Sequence, residues 1–222
     1  MRKLIVLTGC VFFAIVPGTP QAKGPLAEVQ LCGVTACVNL DEAATVPLSE
    51  AIFFWYTDKA AAAEPQTYYL LRWSGVAAAV NTDHAFWMPS ASLLRRFDPL
   101  SLSARWKAIS ASSTIALQQA ATGLQAFPVP ELTRVVVGHR VVRDPRSYVS
   151  LLSGGTAVKT WPAARGWLPV RMTSAQPSPW TDVGADLKIS RTGGFVWRDG
   201  SVFRIPVRLA RLARSGTSLT AP

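Results

Sequence analysis

"GFVWRDGSVFRIP", residues 194–206, is the stretch that decides the fold. Short aromatic and β-branched runs flank Asp199–Gly200, and such a pair between two runs of this kind marks a hairpin turn. The stretch therefore reads as two antiparallel strands. "LTRVVVGHRVVRDP" (132–145) carries the same signature, with Gly138–His139 as its two-residue turn and glycine in the first place, which fits type II′. "AEVQLCG" and "ACVNL" (27–33 and 36–40) read as a third pair of strands, "TYYLLRW" (67–73) as an aromatic-rich strand, and "DLKIS" (186–190) as another. "GVAAAVNTDHAFWMP" (75–89) reads as a strand, a turn near Asn81–Asp83 and a return.

Helices are fewer. Asp98–Pro99 and Asp144–Pro145 both look like helix starts, because an aspartate caps free N–H groups and proline suits the first helical position. "SSTIALQQAATGL" (112–124) has helical spacing, and "PVRLARLARS" (206–215) closes as a short helix. "DEAATVPLSE" (41–50) reads as a loop or weak helical turn, "KAAAAEPQ" (59–66) as a surface connection and "AQPSPW" (175–180) as extended chain. Pro169 places "GWLPVRMTS" (166–174) at a sheet edge. The mixture is an α+β class: antiparallel β hairpins packed with a few short helices.

The first residues speak about address. Arg2 and Lys3 precede an apolar run, Leu4–Val16, and Pro17–Gly18 break it. This is a signal-peptide pattern, shorter than the roughly 18 apolar residues a membrane span needs. Residues 1–22 are thus expected to be removed, leaving 23–222 as one exported domain of about 200 residues, enough for an ample core. "FPVP" (127–130) is the best internal boundary. "LTGC" (7–10) resembles a lipoprotein lipobox, and lipid anchoring through Cys10 is the lesser alternative. The preceding apolar run is short, and the chain stays apolar after Cys10.

Either outcome takes Cys10 out of the count and leaves Cys32 and Cys37. In an oxidising compartment the expectation is a disulfide between them. Their spacing is not the C-x-x-C of a redox pair. The two histidines, His84 and His139, lie too far apart for the usual zinc spacing.

The chain is 49% hydrophobic and 16% charged, which excludes a disordered polymer. Its charge is uneven. Residues 23–130 hold seven Lys or Arg against eight Asp or Glu, whereas residues 131–222 hold fourteen against five. Such asymmetry points to an anionic partner. After export the candidates are a wall polymer, an acidic glycan or an anionic lipid surface. Nucleic acid does not suit that compartment.

No catalytic signature is present: no G-x-S-x-G, S-x-x-K, H-E-x-x-H, P-loop or dinucleotide fingerprint. Nothing in the sequence implies a cofactor or a metal. Asp83 and His84 are the most interesting polar pair, but neighbours in a strand point to opposite sides and form no dyad by themselves. His139 reads as a hairpin tip. Of the eight tryptophans, about six are expected in the core, while Trp180 in "QPSPWTD" (176–182) suits an exposed loop that stacks on sugar. Arg204, Arg208 and Arg211 suit a basic face at the C-terminal helix. The expectation is an exported cell-envelope protein, a non-catalytic binding or structural module. The alternative is a secreted hydrolase whose site gathers distant residues around His84 or His139.

Overall fold

The computed structural model describes residues 28–53, 63–74, 84–98, 103–159, 166–181, 187–192 and 194–215. The signal-like segment, Cys10 and Asp83 lie outside these residues. Among those described, strands form two antiparallel sheets with a few short helices, which is the α+β class.

The first sheet contains β1 (Glu28–Cys32), β2 (Cys37–Asn39), β3 (Tyr69–Ser74), β4 (His84–Met88), β5 (Leu93–Asp98) and β6 (Ser103–Ala108). Their order is β2-β1-β3-β4-β5-β6. Side chains alternate across each strand, so Val29, Leu31, Leu71, Trp73, Trp87 and Leu94 share one face. That face is closed by Leu48 of α1 (Glu42–Phe53) and Leu117 of α2 (Ala111–Ala120), which belong to the same buried cluster. Each such fully buried side chain contributes about 1.5–3 kcal/mol. Cys32 and Cys37 stand opposite each other in the β1–β2 register and form the expected disulfide. The turn they close packs on the segment after α2: Val34 N–H donates to Gln125 O at 2.8 Å. A Cβ on Gly33 would lie 2.3 Å from that oxygen, so only glycine fits.

The second sheet contains β7 (Leu132–Val137), β8 (Arg140–Val141), β9 (Thr156–Ala157), β10 (Trp167–Ser174), β11 (Leu187–Ser190), β12 (Phe195–Arg198) and β13 (Ser201–Arg204). The order is β8-β7-β10-β11-β12-β13-β9. Its inner face supplies Val135, Val137, Val170, Leu187, Ile189 and Val196 to a core that also takes Tyr68, Phe86, Met88 and Trp106 from the first half of the chain. The two sheets therefore share one core. A 3-10 helix (Pro145–Leu151) and α3 (Val207–Ser215) add Tyr148, Leu151, Leu209 and Ala210 to it. Residues 127–130 make the crossing between sheets. Phe127 exchanges backbone hydrogen bonds with Tyr68, and their rings stack at 5.2 Å.

The hairpin of residues 194–206 forms as β12 and β13, with Arg198 opposite Ser201. Asp199 and Gly200 both have positive φ (49° and 75°), the type I′ pattern. In the β7–β8 turn Gly138 has φ 63° and His139 does not share that sign, as type II′ requires.

Several local expectations are corrected. The helix expected from Asp98–Pro99 is not what the described residues form: β5 ends at Asp98 and β6 runs over Ser103–Ala108, with Trp106 alternating with Arg105 and Lys107 at strand period and pairing with β5. The helix starts later, where Ser110 caps α2 by accepting from Ser113 N–H at 3.1 Å. Residues 42–50 belong to α1 despite Pro47, since Asp41 caps it by accepting from Ala44 N–H at 2.8 Å and Leu48 is anchored in the core. Pro169 sits inside the sheet. Its carbonyl accepts from Gly138 N–H at 2.7 Å, so its nitrogen faces the side where β7 has already turned, and no ladder bond to β11 is lost. Residues 63–66 and 175–180 are not mere surface chain: Ala63 is buried, and Ser178–Thr181 forms a tight turn. Asp144 does precede a helix, but a 3-10 one, and its carboxylate accepts from the Ser147 hydroxyl rather than from a backbone N–H.

Candidate anion-binding surfaces

The strands of the second sheet contain Arg134, Arg140, Arg171, Lys188, Arg198 and Arg204, and no Asp or Glu. Strand period divides them between the faces. Val135, Val170, Ile189, Val196 and Phe203 face the core, so Arg134, Arg171, Lys188 and Arg204 face outward. Arg134, Arg171 and Arg204 are exposed. None of these three has a carboxylate partner among the described residues. A β-bulge sharpens the arrangement. Leu132 opposes Ser174 and Arg134 opposes Thr173, so Thr133 is the extra residue that brings Arg134 to the outer face.

Aromatic side chains interleave with these cations. Trp167, Phe195 and Trp197 occupy the same outer face and are half-buried. Lys188 Nζ lies 4.4 Å above the Trp197 ring, and the Arg204 guanidinium 5.8 Å from that of Phe195. Rings beneath cations help fix where their charge sits. The face combines positive charge, flat apolar rings and the exposed hydroxyl-bearing Thr173.

The inner face holds the opposite kind of arginine. Arg198 is 4% exposed, and it donates to three carbonyls: Leu151 and Gly154 at 2.8 Å and Ser153 at 2.6 Å. Burial pushes its guanidinium down to about 10, with Asp199 pulling the other way. It remains charged at neutral pH. Next to it, Asp199 accepts from Trp106 Nε1 at 3.0 Å and from Arg95 Nη2 at 3.5 Å. The hairpin turn thus ties the second sheet to β5 and β6 of the first. A cavity of about 20 Å³ remains among Arg95, Trp106, Trp180, Arg198 and Asp199. That is room for about one water and none for a substrate.

The expected site residues fall in separate places. Arg204 lies on β13 and not on the terminal helix, so the basic helix face reduces to Arg208 and Arg211, both exposed on α3. Trp180 is corrected: it is 3% exposed, and its Nε1 donates to Ala63 O at 2.9 Å, so it offers no stacking platform. Proline on either side of Ser178 suggested exposure, but the Ser178–Thr181 turn folds the indole into the core. Trp73, Trp87 and Trp106 are buried too. His139 is exposed at its turn, and His84 starts β4 with its ring edge-on to Phe86 at 5.6 Å. They stand on different sheets, and neither lines the cavity above. Among the described residues no three His, Cys, Asp or Glu side chains gather as metal ligands. No described helix is long and apolar enough to cross a membrane.

Trp167 and Trp197 were missed as surface residues, although strand period in "GWLPVRMTS" and "GFVWRDG" places both opposite the core-facing valines. No family model matches the chain, and neither the curated proteins nor the solved structures compared with it match it.

Proposed function

We propose that the protein is an exported, non-catalytic module of the cell envelope that holds an acidic glycan or glycan-like wall polymer on the outer face of its second sheet. One observation carries this reading: a sheet whose strands hold six cationic residues and no acid, with exposed Arg134, Arg171 and Arg204 set among Trp167, Phe195 and Trp197. Arginines pair with carboxylate, sulfate or phosphate groups in bidentate fashion, and aromatic rings cover the apolar faces of sugars. The ring component favours a glycan over a bare lipid headgroup layer. The signal-like N-terminus and the disulfide support export.

The test compares retention of the mature protein on heparin and on neutral dextran, with anionic vesicles as a third arm. Binding to heparin is expected to weaken with salt, because exposed charges are screened within about 8 Å at physiological ionic strength. The triple variant Arg134→Gln, Arg171→Gln, Arg204→Gln is expected to lose about tenfold in affinity or more. Retention that ignores both salt and the triple variant sinks the proposal. Equal binding to vesicles and heparin makes the partner a charged surface of any kind and removes the glycan.

A further inference from the structure

A second concave surface lies away from the outer sheet face. It is a cleft of about 630 Å³, within the range of small-ligand sites. One wall is the 3-10 helix and the turn that follows it, with Ser150, Ser153 and Gly154. The other is the start of α3, with Pro206, Arg208 and Leu209. Glu64 and Val129 close the remaining sides.

The first wall is set by backbone constraints. Gly154 N–H donates to Ser150 O at 2.8 Å, and a Cβ on Gly154 would stand 2.5 Å from that oxygen. The buried Arg198 grips the Leu151, Ser153 and Gly154 carbonyls from the core side. The cleft wall is thus held in place before any ligand arrives, which lowers the ordering cost of binding.

Its charges are specific. Arg146 also lines the cleft but is paired with Glu131. Arg208 is exposed and has no carboxylate partner among the described residues, so it is the cation left for a ligand. Glu64 is the carboxylate facing the same space. A simple anion would gain from Arg208 and be repelled by Glu64. A ligand that carries one carboxylate and several hydroxyls satisfies both: the carboxylate meets Arg208, and the hydroxyls donate to Glu64 and exchange hydrogen bonds with the Ser150 and Ser153 hydroxyls. Val129 and Leu209 supply the apolar contact that the C–H face of a sugar ring needs.

We propose that this cleft binds a single acidic sugar unit of the hexuronate class. The inference deepens the glycan reading, with the outer face tracking the polymer and the cleft taking one residue or a chain end. The probes are glucuronate and galacturonate, with glucose and acetate as controls, titrated into the full mature protein by amide NMR. The hexuronates are expected to produce saturable shifts at Ser150, Ser153, Gly154 and Arg208, with a dissociation constant on the order of 1 mM, as befits one weakly held sugar. Arg208→Gln is expected to weaken this at least tenfold. Because Arg208 is exposed, its thermal melt stays unchanged. The double variant Ser150→Ala, Ser153→Ala weakens hexuronate binding while sparing the outer face. Absence of saturable shifts overturns the proposal. So does acetate binding as tightly as hexuronate, or unchanged affinity in Arg208→Gln. Loss of heparin binding in the triple outer-face variant with the hexuronate shifts intact separates failure of one surface from failure of the other.

Discussion

The two sheets use arginine in opposite ways. The first sheet packs on both sides, against α1 and α2 on one face and, through Tyr68, Phe86, Met88 and Trp106, against the shared core on the other. Two arginines of β5 are drawn inward, while Arg72 of β3 stays exposed: Arg95 is 3% exposed and meets Asp199 and the Trp106 ring, and Arg96 lies 5.1 Å over Trp73. The second sheet has one core face and one outer face. It sends Arg134, Arg171 and Arg204 outward and keeps only Arg198 within. A cation between two packed layers loses its water and must be matched by carbonyls, rings or a carboxylate. A cation on an open face keeps its water and is free to meet a partner. The same residue type is therefore structural in one place and a candidate for recognition in another.

The sharpest way to break this comparison sets two arginines of the second sheet against each other. Arg198→Ala strips the donor from three carbonyls and is expected to cost about 3–5 kcal/mol in urea unfolding. Arg171→Ala, on the opposite face, is expected to stay within about 0.5 kcal/mol. Equal costs would erase the distinction between the faces.

The next effect concerns the link between the sheets. Asp199→Asn keeps a residue that tolerates positive φ but removes the charge facing Arg95. A loss of about 2 kcal/mol is expected. A double-mutant cycle with Arg95→Met should give clear coupling, and additive losses would mean that the 3.5 Å contact does not join the sheets.

The disulfide belongs to the first sheet alone. Replacing Cys32 and Cys37 by serine is expected to cost about 2 kcal/mol, since the closed loop is short. Heparin binding should be unchanged, and in the mature parent protein thiol labelling of Cys32 and Cys37 should need a reductant. A loss of binding would couple the first sheet to the outer face of the second.

The smallest effect on stability sharpens the comparison further. The outer-face triple variant should melt within about 0.5 kcal/mol of the parent while its heparin affinity falls. A large loss of stability would make those arginines structural as well.

Legibility followed the range of the forces involved. The hairpins at 138–139 and 199–200 were readable because turn chemistry is local: Gly138, Asp199 and Gly200 take backbone angles that few residues accept. The helix at 207–215 and the Cys32–Cys37 pair were readable for the same reason. The Asp98–Pro99 signal misled because a cap only starts a helix if helical spacing follows. Trp180 misled because its partner, the Ala63 carbonyl, lies 117 residues away.

The sequence by itself determined the α+β class, the hairpins, the disulfide and a surplus of positive charge after residue 130. These depend on neighbours along the chain, on cysteine number and on counting. Only the tertiary structure decided which arginines of that surplus reach water. It joined Asp199 to Arg95 and Trp106, turned Arg198 onto three carbonyls, and divided Arg204 from Arg208 between an open sheet face and a cleft. Burial depends on what the rest of the fold lays over a residue, and no local pattern contains that.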